Sequence, residues 1–169
     1  MRRPFIAGNW KMNTNRASAL ALAEGVAKQA ESLSGVDLAV CPPSCYLDAV
    51  GRAIAGSKVA LGAQNLYHEK DGAYTGELSA AMLLDLGCKY VILGHSERRH
   101  ILGETDAAIN KKVHAALAAG LLPIVCLGEL LVEREAGKTL AVIQTQFDGS
   151  LANISAEQMA KIVIAYEPV

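Results

Sequence analysis

Six short apolar runs recur along this chain: PFIAGNW (4–10), VDLAVCP (36–42), KVALGAQ (57–63), KYVILGH (89–95), LLPIVCLG (121–128) and KIVIAYE (161–167). Each is nearly continuous rather than alternating. A strand with one wet face alternates apolar with polar, and a strand covered on both faces does not, so these runs predict strands of a parallel sheet. Parallel strands need long crossover connections, and the intervening sequence supplies them. RASALALAEGVAKQAESL (16–33), TDAAINKKVHAALAAG (105–120) and TLAVIQTQFDGSLANI (139–154) repeat their apolar residues at spacings of three and four, the signature of amphipathic helices. Gly120 closes the second of them as a helix stop. The alternation predicts an α/β fold with right-handed crossovers, either doubly wound or a barrel. No linker or composition break divides the chain, so residues 1–169 read as one domain.

Bulk properties narrow the function classes. There are 16 Lys and Arg against 17 Asp and Glu, a balance that favours neither nucleic acid nor an anionic membrane surface as partner. No apolar run approaches the roughly 18 residues of a membrane span. The N-terminal MRRPFIAGNW turns polar too soon for a signal peptide, so a cytoplasmic protein is expected. Of the four cysteines, Cys41, Cys88 and Cys126 lie in or beside apolar runs and read as buried, reduced thiols. Cys41 and Cys45 are separated by Pro42 and Pro43, with no second Cys or His pair behind them, so no metal site is expected.

Polar clusters collect where the predicted strands end: AGNWKMN after the first, AQNLYHEKDGAYTGE after the third, GHSERR after the fourth and YEPV after the sixth. In parallel α/β folds that edge carries the site, because its loops vary without disturbing the core. Glu167 stands at a strand tip with Pro168 stiffening the backbone behind it. It is either a solvated strand-end carboxylate or a general base. His95 precedes a helix start in which Ser96 is a possible cap and Glu97 lies in the first turn. The positive end of a helix disfavours a second positive charge there, so the ring reads as a neutral donor to a carbonyl oxygen. Lys11 follows Asn9 by two residues, and if strand alternation persists the two point the same way. Lys11 is then either a surface amine or the cation that holds an anionic, enolate-like substrate. A base, a neutral electrophile and a cation suit proton abstraction beside a carbonyl. Paired carboxylates for metal hydrolysis, a nucleophile elbow and glycine-rich nucleotide loops do not appear.

The segments AGNWKMN (7–13), GAQN (62–65), GAYTGE (72–77), VILGHSERR (91–99), CLGE (126–129), VEREAG (132–137) and AYEPV (165–169), in this order and spacing, resemble the triosephosphate isomerase family. The resemblance implies a (β/α)₈ barrel of glycolysis and gluconeogenesis that interconverts dihydroxyacetone phosphate and glyceraldehyde 3-phosphate through an enediolate. Carried over position by position, Glu167 is the base, His95 the neutral electrophile and Lys11 the cation, and Asn9 hydrogen-bonds near the reacting oxygens. Glu97 supports Lys11, and Cys126 is structural. No cofactor and no metal are implied. The implied assembly is a homodimer in which the loop 64–78 docks on the partner, Thr75 reaches toward the partner's site and Met12 sits in the pocket formed by the partner's loop.

The family barrel has eight strands in about 250 residues, whereas six runs are present in these 169 residues. The resemblance therefore implies an incomplete barrel with about six of eight βα units, ending before the Trp and glycine-containing lid that follow AYEPV in the family. The first and sixth strands are expected to keep unpaired edges. An alternative expectation follows: an inactive fragment that folds only as an oligomer or with a complementing chain. A phosphate-sugar aldolase is a weaker alternative, because Lys11 at a strand tip beside Asn9 is poorly placed for a Schiff base deep in a strand.

Overall fold

Each of the six runs forms a strand in the computed structural model, which describes residues 3–169. The strands are β1 (Phe5–Asn9), β2 (Asp37–Cys41), β3 (Val59–Ala63), β4 (Cys88–Leu93), β5 (Leu122–Leu127) and β6 (Val163–Tyr166). They pair in parallel in chain order, β1 to β6, as one sheet. The helices between them are α1 (Arg16–Ala30), α2 (Leu47–Ala53), α3 (Ala80–Asp85), α4 (Ser96–His100), α5 (Asp106–Ala119), α6 (Leu131–Glu135), α7 (Thr139–Ser150) and α8 (Ala156–Met159), and a 3₁₀ turn at Ser44–Tyr46 precedes α2. The sheet curls into a partial (β/α)₈ barrel, bringing the Phe5 ring of β1 within 4.7 Å of the Tyr90 ring of β4, centroid to centroid.

Local chemistry sets the helix ends. Asn15 and Ser18 form a reciprocal cap at the start of α1. Thr105 caps α5, and Gly120 ends it at φ 95°, a left-handed stop. Two helices are shorter than their periodicity predicts. The first stops at Ala30 because Lys58 Nζ, arriving from before β3, takes the carbonyls of Glu31 and Leu33, both at 2.9 Å. The helix expected over 139–154 stops at Ser150, where Asn110 of α5 donates to the carbonyls of Ser150 and Ala152. Each capture supplies the final carbonyls with long-range partners and makes a further turn unnecessary.

Period-two alternation divides the strand residues into two layers. Val40, Val59, Leu61, Ala63, Val91, Leu93, Val125 and Leu127 pack outward against Ala23 of α1, Val50 of α2, Leu83 of α3 and Ile109 and Val113 of α5. Ala39, Cys41, Tyr90, Ile92, Ile124 and Cys126 point inward and fill the barrel, with Phe5, Val163 and Ala165 half-buried against them. No strand pairs with the outer edge of β1 or β6 among the described residues. On the outer face of these two strands Ile6 is 63% exposed and Tyr166 53%.

Candidate active site

The four candidate residues come from three strand ends and converge on one side of the sheet. β1 ends at Asn9, and the expected alternation stops with it. Lys11 instead adopts φ 53°, an uncommon left-handed conformation for a residue with a side chain. Two amides hold it there. The Lys11 N–H donates to Asn9 Oδ1 at 3.0 Å, and Gln64, beyond β3, donates Nε2 to the Lys11 carbonyl at 2.9 Å and to the Cys41 carbonyl at 2.9 Å. Lys11 and Asn9 thus line one cleft through a turn rather than through strand periodicity.

At the end of β4, Gly94 turns the chain at φ 69° and releases His95 in extended conformation ahead of α4. A side chain at Gly94 would strike Arg99 and Ile109, each 2.9 Å from a Cβ there. The helix cap is His95 rather than Ser96: its ring Nδ1 accepts the Glu97 N–H at 3.3 Å. The Gly94 turn places the ring, not the following hydroxyl, over the Glu97 N–H in the first turn of α4. Acceptance at Nδ1 assigns the ring proton to Nε2. Nε2 lies 3.1 Å from Glu167 Oε1, and the Ser96 N–H lies 3.3 Å from Glu167 Oε2. His95 is 8% exposed, whereas the Glu167 side chain is 31% exposed, so the contact is covered on the ring side and open to solvent on the carboxylate side.

Lys11 Nζ sits 3.0 Å from Glu97 Oε1, and Glu97 Oε2 lies 3.3 Å from His95 Nδ1. The hydrogen bond from Lys11 to Glu97, then the Glu97 charge and more weakly that of Glu167, raise the Lys11 pKa; the ammonium stays charged through the neutral range. Asn9, Lys11, Met12, Gln64, His95 and Glu97 line a cleft of about 460 Å³. Asn9 and His95 also border a second cleft of about 360 Å³, open toward the inner faces of β1 and β6 and reaching Cys126 and Glu167. Burial, assisted by the Glu167 charge, pushes the Cys126 thiol up to about 12. That leaves a protonated sulfur with little nucleophilic character. Met12 is 97% exposed at the rim of the larger cleft, and Thr75 is exposed in the loop beyond β3.

Three residues given no role in the sequence reading organise this edge. Gln64 holds the Lys11 turn. Arg99 bonds the Gly94 carbonyl at 2.7 Å and the Cys126 carbonyl at 3.1 Å, tying the ends of β4 and β5, and is itself held by Asp106 and Ser150. Glu129 is buried and accepts from Arg134, Thr139 and Tyr166. Its burial raises the carboxyl pKa, but bonds from its own backbone, Tyr166, Arg134 and Thr139 together outweigh that, and the net shift is downward. All three lie within the quoted motifs GAQN, HSERR and CLGE. Their partners lie on other elements, which no local pattern shows.

The sequence matches the family model "Triosephosphate isomerase" over residues 4–169. The chain belongs to the triosephosphate isomerase family. It is 55% identical to triosephosphate isomerase of Rhodopirellula baltica, over 99% of this chain and 66% of that protein. It is 54% identical to the triosephosphate isomerases of Herpetosiphon aurantiacus and Carboxydothermus hydrogenoformans, over all of this chain and 68% and 67% of theirs. The chain thus spans about two thirds of the length of these relatives. Among the described residues no group of three or more His, Cys, Asp or Glu is arranged to hold a metal ion, and no helix is long and apolar enough to cross a membrane.

Proposed function

We propose that this edge is the proton-transfer centre of an isomerase acting on triose phosphates. The observation that supports it best is the approach of His95 Nε2 to Glu167 Oε1 at 3.1 Å, with the Lys11 ammonium beside them on Glu97. Glu167 takes the proton from the carbon next to the substrate carbonyl, and the electron pair moves into an enediolate. His95 donates its Nε2–H toward the oxygen on which charge develops. Lys11 offsets the substrate's negative charge, and Asn9 bonds near the reacting oxygens. Glu167 then returns the proton to the neighbouring carbon. Substrate must replace the contact between Glu167 and His95, which at 3.1 Å leaves no room for a third group.

Glu167→Gln keeps the shape and removes the base, so turnover in a coupled isomerase assay is expected to fall by about 10²–10⁴-fold. Unchanged turnover would sink the assignment. Lys11→Met is expected to abolish activity while circular dichroism stays the same. Full activity there would make Lys11 a surface amine.

The cleft rim also supports self-association. Met12 and Leu102 (64% exposed) are exposed apolar residues on the lining of the larger cleft. We read this as a homodimer contact, with Thr75 of the loop 64–78 directed at a partner copy. A second reading rests on the unpaired edges of β1 and β6: the site becomes efficient only when other strands cover them. Light scattering together with turnover separates the two, since an active dimer favours the first reading and an inactive larger assembly the second.

A further inference from the structure

The position of Glu167 depends on a residue far from the chemistry. β6 meets the end of β5 through two backbone rungs: the Glu167 N–H donates to the Leu127 carbonyl at 2.8 Å, and the Val169 N–H to the Glu129 carbonyl at 2.9 Å. Pro168, between them, has no N–H to offer. Gly128 lies between the two acceptors and is pressed against the Glu167 peptide. A Cβ at Gly128 would fall 1.7 Å from the Glu167 carbonyl oxygen and 2.5 Å from its carbon. Only glycine permits this approach.

Gly128 therefore sets where residue 167 sits, and its own peptide groups must be held in turn. Both are held by one side chain. The Gly128 N–H donates to Gln146 Oε1 at 2.9 Å, and Gln146 Nε2 donates to the Gly128 carbonyl at 2.9 Å. Gln146 is buried on α7 and has its acceptor and a donor on the same glycine. The two bonds fix the amide's orientation, because the flipped amide would face donor with donor and acceptor with acceptor. They also fix the orientation of the two peptide groups on either side of the Gly128 Cα, in a region where an unpaired backbone group would be costly.

We propose that Gln146 is a positioning residue for Glu167, acting through Gly128; this rests on the reading of Glu167 as the base. Gln146 touches neither cleft. Its amide fixes how the two peptide groups flanking the Gly128 Cα are turned, that orientation admits the Glu167 backbone, and the backbone places the carboxylate against His95.

The test uses Gln146→Met, of similar length with no hydrogen-bonding amide, in the full-length protein. Expected is a fall in kcat of about 10- to 100-fold with KM little changed, the size of loss that misplacing a reacting group produces. In a Glu167→Gln background the same substitution should cost almost nothing, because the group it positions is already gone. An equal loss in both backgrounds would mean general damage and overturn the proposal. So would a crystal structure of the variant with residues 127–129 and the Glu167 carboxylate unmoved. That structural readout is independent of activity, so if Glu167→Gln alone leaves turnover intact, the base assignment fails while the positioning claim is still decided. If Gln146→Met does not fold, Gln146→Glu serves instead. It keeps the bond from the Gly128 N–H and loses the one to the carbonyl, and a carboxylate at 167 that stays in place would overturn the proposal in the same way.

Discussion

β4 and β5 differ sharply from β1 and β6, although all four are short, apolar and parallel. β4 and β5 carry helices on the outer face and side chains inside, and ten of their residue positions are buried out of twelve. β1 and β6 hold equally regular register with their single neighbours, yet neither has a fully buried residue. IVCL in β5 and VIAY in β6 have similar apolar character, so the difference lies in the surroundings and not in the strands. The site straddles this divide. His95 leaves the covered region, whereas Asn9 and Glu167 sit at the ends of the two open edges. His95 is therefore held by packing, and Glu167 by a few backbone rungs.

The largest expected effect is in local opening. Amides of Val91, Ile92 and Val125 should exchange hydrogen only on global unfolding, and those of β1 and β6 by smaller openings. The separation should be roughly 3 kcal/mol or more in native-state exchange, given typical domain stabilities. Uniform protection across the six strands would break the contrast. A substitution pair sharpens it further. Leu93, fully buried in β4, should lose about 2–5 kcal/mol on change to Ala. Ile6→Ala should cost less than about 1 kcal/mol, because most of that side chain already meets water. Urea denaturation measures both. An equal cost would mean that Ile6 is covered in solution by something beyond the sheet described here.

The same divide explains what could be read before any coordinates. All six strands and their parallel sense were legible, because continuous apolar runs report burial on two faces and amphipathic spacing reports the crossovers; their pairing in chain order followed only from the family resemblance, since doubly wound sheets and barrels share that pattern. The identities of Asn9, Lys11, His95 and Glu167 as strand-end polar residues were legible too. The means of their placement were not. The Lys11 turn depends on Gln64, 53 residues away, so strand alternation gave the shared cleft through the wrong geometry. The capping role of the His95 ring depends on the Gly94 turn above Arg99. The ends of α1 and α7 depend on Lys58 and Asn110. The exposure of Ile6 and Tyr166 has no local signal at all, because an apolar run looks the same whether or not a neighbour covers it.

The smallest effect near neutral pH concerns the thiols, and it tests whether the covered region extends to the site edge. Burial raises Cys41 and Cys126 from 9.0 to about 12 and Cys88 to about 11, while Cys45 is exposed. A thiol with a raised folded-state pKa keeps its proton after the unfolded chain has released its own. Its contribution to stability is complete below about pH 9 and is lost as pH climbs toward 11–12. Urea midpoints should therefore show no thiol-dependent change around neutrality and a decline from about pH 9 upward. Cys126→Ala should flatten part of that decline. At mildly alkaline pH, iodoacetamide followed by intact mass should give one adduct, at Cys45, with the other three reacting only after denaturant is added. Cys126 is the informative one, since it borders the cleft that opens toward β1 and β6. Alkylation of Cys126 as fast as Cys45 would place the end of β5 with the open edges, and the protection that His95 draws from its own strand would then stop at β4.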